Sequence, residues 1–159
     1  MDHLSLRGAH WEMGFQWGAR LAERGRFLLD HVPFPLTAER RAFAAACRPA
    51  YARHFPAALA ELEGLAAGQG CPREDLETVL FTTYALPPAC GCSCLAVSNG
   101  NGVFFGRNSD FLTALEPYNS HAAYHFSDGA IPFAGNTTSF VQMEDAVNAR
   151  GLAVGLTSV

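Results

Sequence analysis

The stretch GCSCLAVSNGNGVFFGRNSD, residues 91–110, carries the clearest structural signal in the chain. Residues Cys92–Ser98 are strand-like, and Asn99–Gly102 is a strong hairpin turn because Asn and Gly tolerate positive φ. Val103–Gly106 is predicted to return as the partner strand. The polar segment Arg107–Asp110 comes directly after that second strand, so the hairpin is expected to bring it back beside the start of the first.

The chain before this hairpin is predicted to be mainly helical, after a short strand over His3–Arg7. Thr37 is a typical N-cap, and Pro56 suits the first position of a helix. Pro49 is expected to bend or divide the helix that contains it. The predicted helices start at about Trp11, run from Thr37 to about His54 and from Pro56 to about Ala67, and run from near Pro72 to before Pro87-Pro88.

The first predicted helix has an apolar stripe and a small-residue stripe. Its apolar residues are spaced four apart at Met13, Trp17 and Leu21. Gly14 and Gly18 are also four apart, which lets a neighbouring backbone approach that face closely. Trp11 and Phe15 are expected to join Trp17 in the core rather than to contact a cofactor.

After the hairpin the pattern favours further antiparallel strands, separated by turn signals at Asp128-Gly129 and Asn148–Gly151. The predicted strands are Ser120–Ser127, Ala130–Ala134, Thr137–Val141 and Leu152–Thr157. Helices followed by antiparallel strands place the chain in the α+β class.

Composition excludes several classes of function. The chain has 159 residues, 49% hydrophobic and 16% charged, with a net charge of -4. An acidic balance provides no basic surface for nucleic acid or an anionic membrane. The sequence has no apolar run of the roughly 20 residues that cross a bilayer, and its first residues do not resemble a secretory signal. We therefore expect a cytoplasmic protein with reduced thiols.

Five cysteines are present, and three of them crowd into residues 90–94. An odd, clustered set does not suit a disulfide framework. One interpretation is that these small side chains are simply buried along a strand. A second is a metal site, but no second cysteine or histidine cluster completes it, and His121 and His125 on a strand would lie about 13 Å apart. A third is a nucleophile at Cys92.

The third interpretation rests on the glycine that precedes Cys92. The thiol can attack the unhindered Gly91 carbonyl, and hydrolysis of the resulting thioester would divide the chain into 1–91 and 92–159. The new α-amino group, with a reference pKa of about 7.7–8, can then accept the thiol proton. Asp110 can orient that amino group, and Arg107 can stabilise a thiolate or an anionic substrate. The competing interpretation of Arg107–Asp110 is a surface turn with a weak ion pair.

Several motifs together resemble the choloylglycine hydrolase and penicillin acyltransferase superfamily. The most specific is Gly91-Cys92 followed by Leu95–Ser98, Asn99–Gly102 and Gly106–Asp110, which is similar to the start of the mature chain in that superfamily. The segments Leu6–Gly18 and Glu61–Ala66 resemble its penicillin-acyltransferase-like branch. Asn148–Val154 resembles a hairpin of the superfamily, and the long pro-segment favours the acyltransferase-like branch.

The resemblance implies a fold and a chemistry. The fold is the αββα N-terminal-nucleophile hydrolase fold, with a helical pro-segment over 1–91 and the mature chain starting at Cys92. The implied activity is self-cleavage, followed by hydrolysis or acyl transfer on linear amide bonds of a small-molecule substrate. No cofactor is needed, and acyl-CoA is a suitable donor for the acyltransferase reaction.

The resemblance also assigns residues. Cys92 would be the nucleophile, Arg107 a residue contacting nucleophile or substrate, and Asp110 the partner of the α-amino group. Asn108 and Thr157 are candidates to support the site or its oxyanion hole. Thr157 stands where choloylglycine hydrolases carry an asparagine that helps form the oxyanion hole.

The chain ends at Val159 inside a predicted strand, so we interpret it as a fragment whose αββα fold is incomplete. An open sheet edge predicts self-association or a homo-oligomer. The alternative to an enzyme is an inactive truncated relative or a small non-catalytic metal-binding module.

Overall fold

The computed structural model describes residues 1–83, 85, 91–110 and 112–157. It is an α+β chain, as the sequence predicts. The strands are β1 Asp2–Gly8, β2 Gly91–Asn99, β3 Gly102–Asp110, β4 Ser120–Phe126, β5 Phe133–Ser139, β6 Gln142–Asn148 and β7 Ala153–Gly155. The α-helices are α1 His10–Ala22, α2 Ala38–His54, α3 Pro56–Gln69 and α4 Arg73–Thr82, and 3-10 helices cover Leu28–His31 and Thr113–Tyr118. No helix among the described residues is both long and apolar enough to pass through a bilayer.

The helix boundaries follow local signals. Thr37 caps α2 by accepting a hydrogen bond from the Arg40 amide at 3.3 Å, and Pro56 occupies the start of α3. Gly70 ends α3 in the left-handed region with φ 65°. Pro49 does not divide α2, which continues through it to His54. Pro87-Pro88, predicted to follow α4, lie outside the described residues.

The chain forms two compact units. The first, here called the sheet unit, contains Met1–Ser5, Ala89–Ala123 and Ile131–Val159. The second, the helical unit, contains Leu6–Pro88 and Tyr124–Ala130. Each unit therefore includes residues from both sides of the Gly91–Cys92 bond. The predicted division into 1–91 and 92–159 concerns cleavage and stays a prediction.

The core of the helical unit forms where α1 packs on α3. Met13, Trp17 and Leu21 are buried as predicted. The glycine stripe also behaves as predicted: a β-carbon on Gly14 would overlap the Glu61 carbonyl oxygen, and one on Gly64 would overlap that of Trp11. The prediction that Trp11 and Phe15 join the core is wrong. They are 44% and 42% exposed and stack on each other, because they lie off the buried stripe.

The strands of the described residues form two sheets. One has the order β1-β4-β5-β6-β7, and the other pairs β2 with β3. The strand β4 alternates in burial as its sequence predicts. The predicted pair Ala130–Ala134 and Thr137–Val141 is wrong, since one strand, β5, covers Phe133–Ser139 and the chain turns at Phe140-Val141. The strand β6, which pairs antiparallel with both β5 and β7, was not predicted.

Candidate functional site

The hairpin β2–β3 positions the predicted site residues, although not by the expected route. Arg107–Asp110 does not follow the second strand; it forms the last part of β3. The antiparallel ladder continues to the strand end, so Gly91 pairs with Asp110, Cys92 with Ser109, Ser93 with Asn108 and Cys94 with Arg107. The continuous ladder fixes all four pairs in register and so holds the two segments side by side.

Strand alternation sorts these residues onto two faces of the hairpin. Directly opposed residues share a face, and successive residues alternate. Cys92, Cys94, Arg107 and Ser109 therefore lie on one face, whereas Gly91, Ser93, Asn108 and Asp110 lie on the other. The sulfur of Cys92 and the carboxylate of Asp110 therefore lie on opposite faces of the hairpin, one on each side of the Gly91–Cys92 peptide bond.

The Arg107 guanidinium is the centre of the first face. Its Nη2 donates to the Cys92 sulfur at 3.1 Å and to Glu144 Oε2 at 2.7 Å. Its Nε donates to the Leu156 carbonyl oxygen at 2.6 Å. The Arg107 and Glu144 side chains are only 3% and 2% exposed, so solvent screens their ion pair little. Arg107 is thus a fixed positive charge against the thiol, rather than part of a weak surface pair.

Glu144 was not among the predicted site residues. Burial, and secondly the negative charge of Asp145, raise the pKa of Glu144 to about 7, while the adjacent guanidinium favours its ionised form. Asp145 Oδ2 lies 3.9 Å from Arg107 Nη1. Its other oxygen, Oδ1, accepts from Asn136 Nδ2 at 2.8 Å. Two acidic residues before the Asn148 turn were the only sequence signal for this contribution.

Asp110 and Asn108 form a pair on the second face. Asn108 Nδ2 donates to Asp110 Oδ1 at 2.7 Å. A β-carbon built on Gly91 would lie 3.7 Å from Asp110 Oδ2, which places this carboxylate beside the Gly91–Cys92 peptide. Asn108 is therefore arranged to orient Asp110, and the structure brings neither residue to the Arg107 face.

The remaining predicted residues are less closely grouped. Thr157 is exposed and follows the end of β7, so its expected part in an oxyanion hole stays a prediction. Cys92 is partly exposed and Cys94 exposed, so the interpretation of buried strand cysteines is wrong for these two, because β2 is exposed along most of its length. Cys90 lies outside the described residues. Ser109, opposite Cys92, has a buried hydroxyl that finds no hydrogen-bond partner in the described part of the chain.

An open pocket adjoins Glu144. It has a volume of about 300 Å³ and is lined mainly by β6 and by the segment Val154–Leu156. A second pocket of about 360 Å³ lies along the same strands. Its lining is mostly apolar, with Ile131, Phe133, Met143, Ala146, Asn148, Leu152 and Val154. Both volumes are in the range that holds part of a small molecule.

Neither a metal site nor a similar known protein assigns a function to these residues. Among residues 1–83, 85, 91–110 and 112–157, no group of three or more His, Cys, Asp or Glu side chains is arranged to hold a metal ion. No protein-family model matches the chain, and no curated protein matches it.

Proposed function

We propose that this protein is a cysteine N-terminal-nucleophile hydrolase or acyltransferase that cleaves itself between Gly91 and Cys92 and acts on linear carbon–nitrogen amide bonds. Its fold would be the αββα arrangement, with 1–91 as a helical pro-segment. The observation that carries the proposal is the 3.1 Å contact between Arg107 Nη2 and the Cys92 sulfur, with Asp110 opposite Gly91 in the register.

The self-cleavage begins at the thiol of Cys92. The sulfur attacks the Gly91 carbonyl carbon, an S–C bond forms, and the C–N bond to Cys92 breaks as that nitrogen takes up a proton. Water then hydrolyses the thioester, which gives a Gly91 carboxylate, a free thiol and an α-amino group on Cys92. Glycine at position 91 leaves the carbonyl open to this attack.

In the catalytic cycle the freed amine and the thiol act together. The α-amino group accepts the thiol proton, and Arg107 stabilises the thiolate that forms. Asp110, held by Asn108, lies beside the backbone position where this amine would appear and accepts its hydrogen bonds. Backbone N–H groups stabilise the oxyanion after attack on the substrate carbonyl. The amine protonates the leaving group, and water or a second amine resolves the thioester.

The pockets along β6 and β7 support a small-molecule substrate. The larger one is lined mainly by aliphatic and aromatic side chains, which favours an apolar acyl group over a charged one. The adjoining pocket includes Glu144 and Leu156, both bonded to Arg107. In the acyltransferase reaction the donor would be a thioester such as acyl-CoA.

Intact-mass measurement of the purified full chain tests the proposal. We expect two products, 1–91 and 92–159, whose masses sum to that of the chain plus one water. Cys92→Ala should remain intact. Cys94→Ala is the matched control and should still cleave, because Cys94 follows Ser93 rather than a glycine.

An intact wild-type chain after long incubation, together with amide turnover that survives alkylation of Cys92, would contradict the proposal. An intact chain that retains zinc through dialysis would support the metal-binding module instead.

A further inference from the structure

The Nη2 nitrogen of Arg107 is shared between two acidic groups. One of its N–H bonds points to Glu144 Oε2 at 2.7 Å and the other to the Cys92 sulfur at 3.1 Å. A single nitrogen has only two such bonds, so both are committed. The positive charge that Arg107 presents to the sulfur therefore depends on the charge carried by Glu144.

Asp145 is placed differently although it is the adjacent acid. Its Oδ2 is 3.9 Å from Arg107 Nη1, beyond hydrogen-bond length. Its Oδ1 is held on β5 by the Asn136 amide and side chain, at 3.3 and 2.8 Å. Asn136 Oδ1 is in turn 3.0 Å from His121 Nδ1. Asp145 is thus hydrogen-bonded to Asn136 and does not share the Nη2 nitrogen that contacts the thiol.

We propose that Glu144 is a positioning residue that holds the Arg107 guanidinium against the Cys92 sulfur and moderates the positive charge that reaches it. The role deepens the proposed function and rests on it only in taking Cys92 as the reacting group. When Glu144 is neutral, the full charge of Arg107 acts on the sulfur and favours the thiolate. When Glu144 is ionised, part of that charge is compensated and the thiol holds its proton more firmly.

Charged and titratable groups face Glu144 from β3, β2 and β6, whereas β5 and β7, the strands that pair with β6, contain no charged residue. Arg107 faces it from β3, Cys92 reaches it through Arg107 from β2, and Asp145 is its neighbour on β6. The contact from the end of β7 is a backbone one, in which the Leu156 amide donates to the Glu144 carbonyl oxygen at 2.7 Å. Because burial makes Glu144 titrate near neutrality, its protonation and that of the thiol are coupled.

The rate of alkylation of Cys92 by iodoacetamide, followed across pH 5–9 on the full chain, tests this role. Fragment-ion mass spectrometry separates Cys92 from Cys90 and Cys94. In Glu144→Gln the amide oxygen still accepts from Arg107 but carries no charge. We expect the midpoint of the rate curve to move down by roughly half to one pH unit, which is about a 3- to 10-fold faster reaction below the midpoint.

Asp145→Asn is the matched control, because it removes the same charge from the next residue without touching the shared nitrogen. We expect Asp145→Asn to move the midpoint of the rate curve by less than a third of the shift in Glu144→Gln. Equal shifts in both variants, or no shift in Glu144→Gln, would overturn the proposal. Circular dichroism checks that each variant is folded.

A measurement on the wild type keeps the proposal testable if Glu144→Gln does not fold. In peptides that still span the Gly91–Cys92 bond, and so lack the freed amine, the rate curve of Cys92 should be broader than a one-proton titration, because Glu144 ionises within the same range. A one-proton curve would contradict the coupling. Alkylation requires neither self-cleavage nor amide turnover, so failure of this role and failure of the proposed function are separate outcomes.

Discussion

The Tyr124 hydroxyl donates a 2.6 Å hydrogen bond to Glu61, a residue 63 positions earlier in the chain. Glu61 Oε2 also lies 3.8 Å from His10 Nδ1. Burial raises the pKa of Glu61, whereas the Tyr124 hydrogen bond and the His10 charge lower it. This partly buried contact connects a helix on one side of residue 91 with a strand on the other, within the helical unit.

Tyr124→Phe is expected to destabilise the chain more at pH 8 than at pH 5. Without the hydroxyl the pKa of Glu61 rises further, and a carboxyl with a raised folded-state pKa loses stability as pH rises through that value. We expect a loss of roughly 1–2 kcal/mol at pH 8, measured by urea unfolding at both pH values. Tyr51→Phe is the control, since no hydrogen bond of its hydroxyl occurs among the described residues. An identical loss at both pH values would count against this account.

Gly14→Ala is expected to destabilise the helical unit by roughly 2 kcal/mol or more, because the new β-carbon would collide with the backbone of α3. Thermal unfolding measures the change. Gly100→Ala is the matched control, as a β-carbon there would meet no atom of the described residues within 4 Å, and it should stay within about 0.5 kcal/mol of wild type. Equal stability of the two variants would show that α1 and α3 are not in close contact.

Glu144→Gln is expected to flatten the dependence of stability on pH. The pKa of Glu144 is raised to about 7 from an ordinary value of 4.5, so its contribution to stability is complete below the ordinary value and is lost as pH rises through the raised one. Relative to the variant, wild type should lose up to roughly 3 kcal/mol between pH 4.5 and 8. Denaturant unfolding at several pH values in this range measures the free energy of unfolding of both proteins. Glu23→Gln, at an exposed position, is the control. Parallel curves of stability against pH for wild type and Glu144→Gln would refute the prediction.

Self-association is expected from the two-stranded sheet. Among the described residues, β2 and β3 pair only with each other, and Leu95 and Val103 are 66% and 79% exposed. Unpaired edges with apolar side chains favour strand addition from another copy. Light scattering should show a mass that rises with concentration, and Val103→Lys should reduce that rise. A monodisperse monomer at high concentration would contradict it.

The features that were predictable from sequence depend on neighbouring residues. Thr37 capping α2, Pro56 starting α3 and the Asn99–Gly102 turn each act within a few positions, so the pattern alone predicts them. The pairing of Cys92 with the Arg107–Asp110 segment followed from that turn. Its exact register did not, because β3 extends four residues further than the pattern of apolar residues.

The features that were missed depend on distant contacts. Phe140 adopts φ 55° at the turn between β5 and β6, although aromatic residues favour strands and rarely adopt positive φ. Its ring is buried and packs edge-on against Tyr118 at 5.4 Å, and this burial outweighs the local preference. Glu144 acquires its role from Arg107, 37 positions earlier, a relation that no local spacing expresses.

The position of β1 at the margin of the larger sheet, next to β4, has a consequence for handling the protein. Backbone hydrogen bonds such as that from the Asp2 amide to the Asn119 carbonyl oxygen, at 3.2 Å, join residues that would belong to different polypeptides after cleavage at residue 91. A nicked molecule would then stay together in native gels and gel filtration. Only denaturing conditions would release its two pieces, so an unchanged elution volume says nothing about whether maturation has taken place.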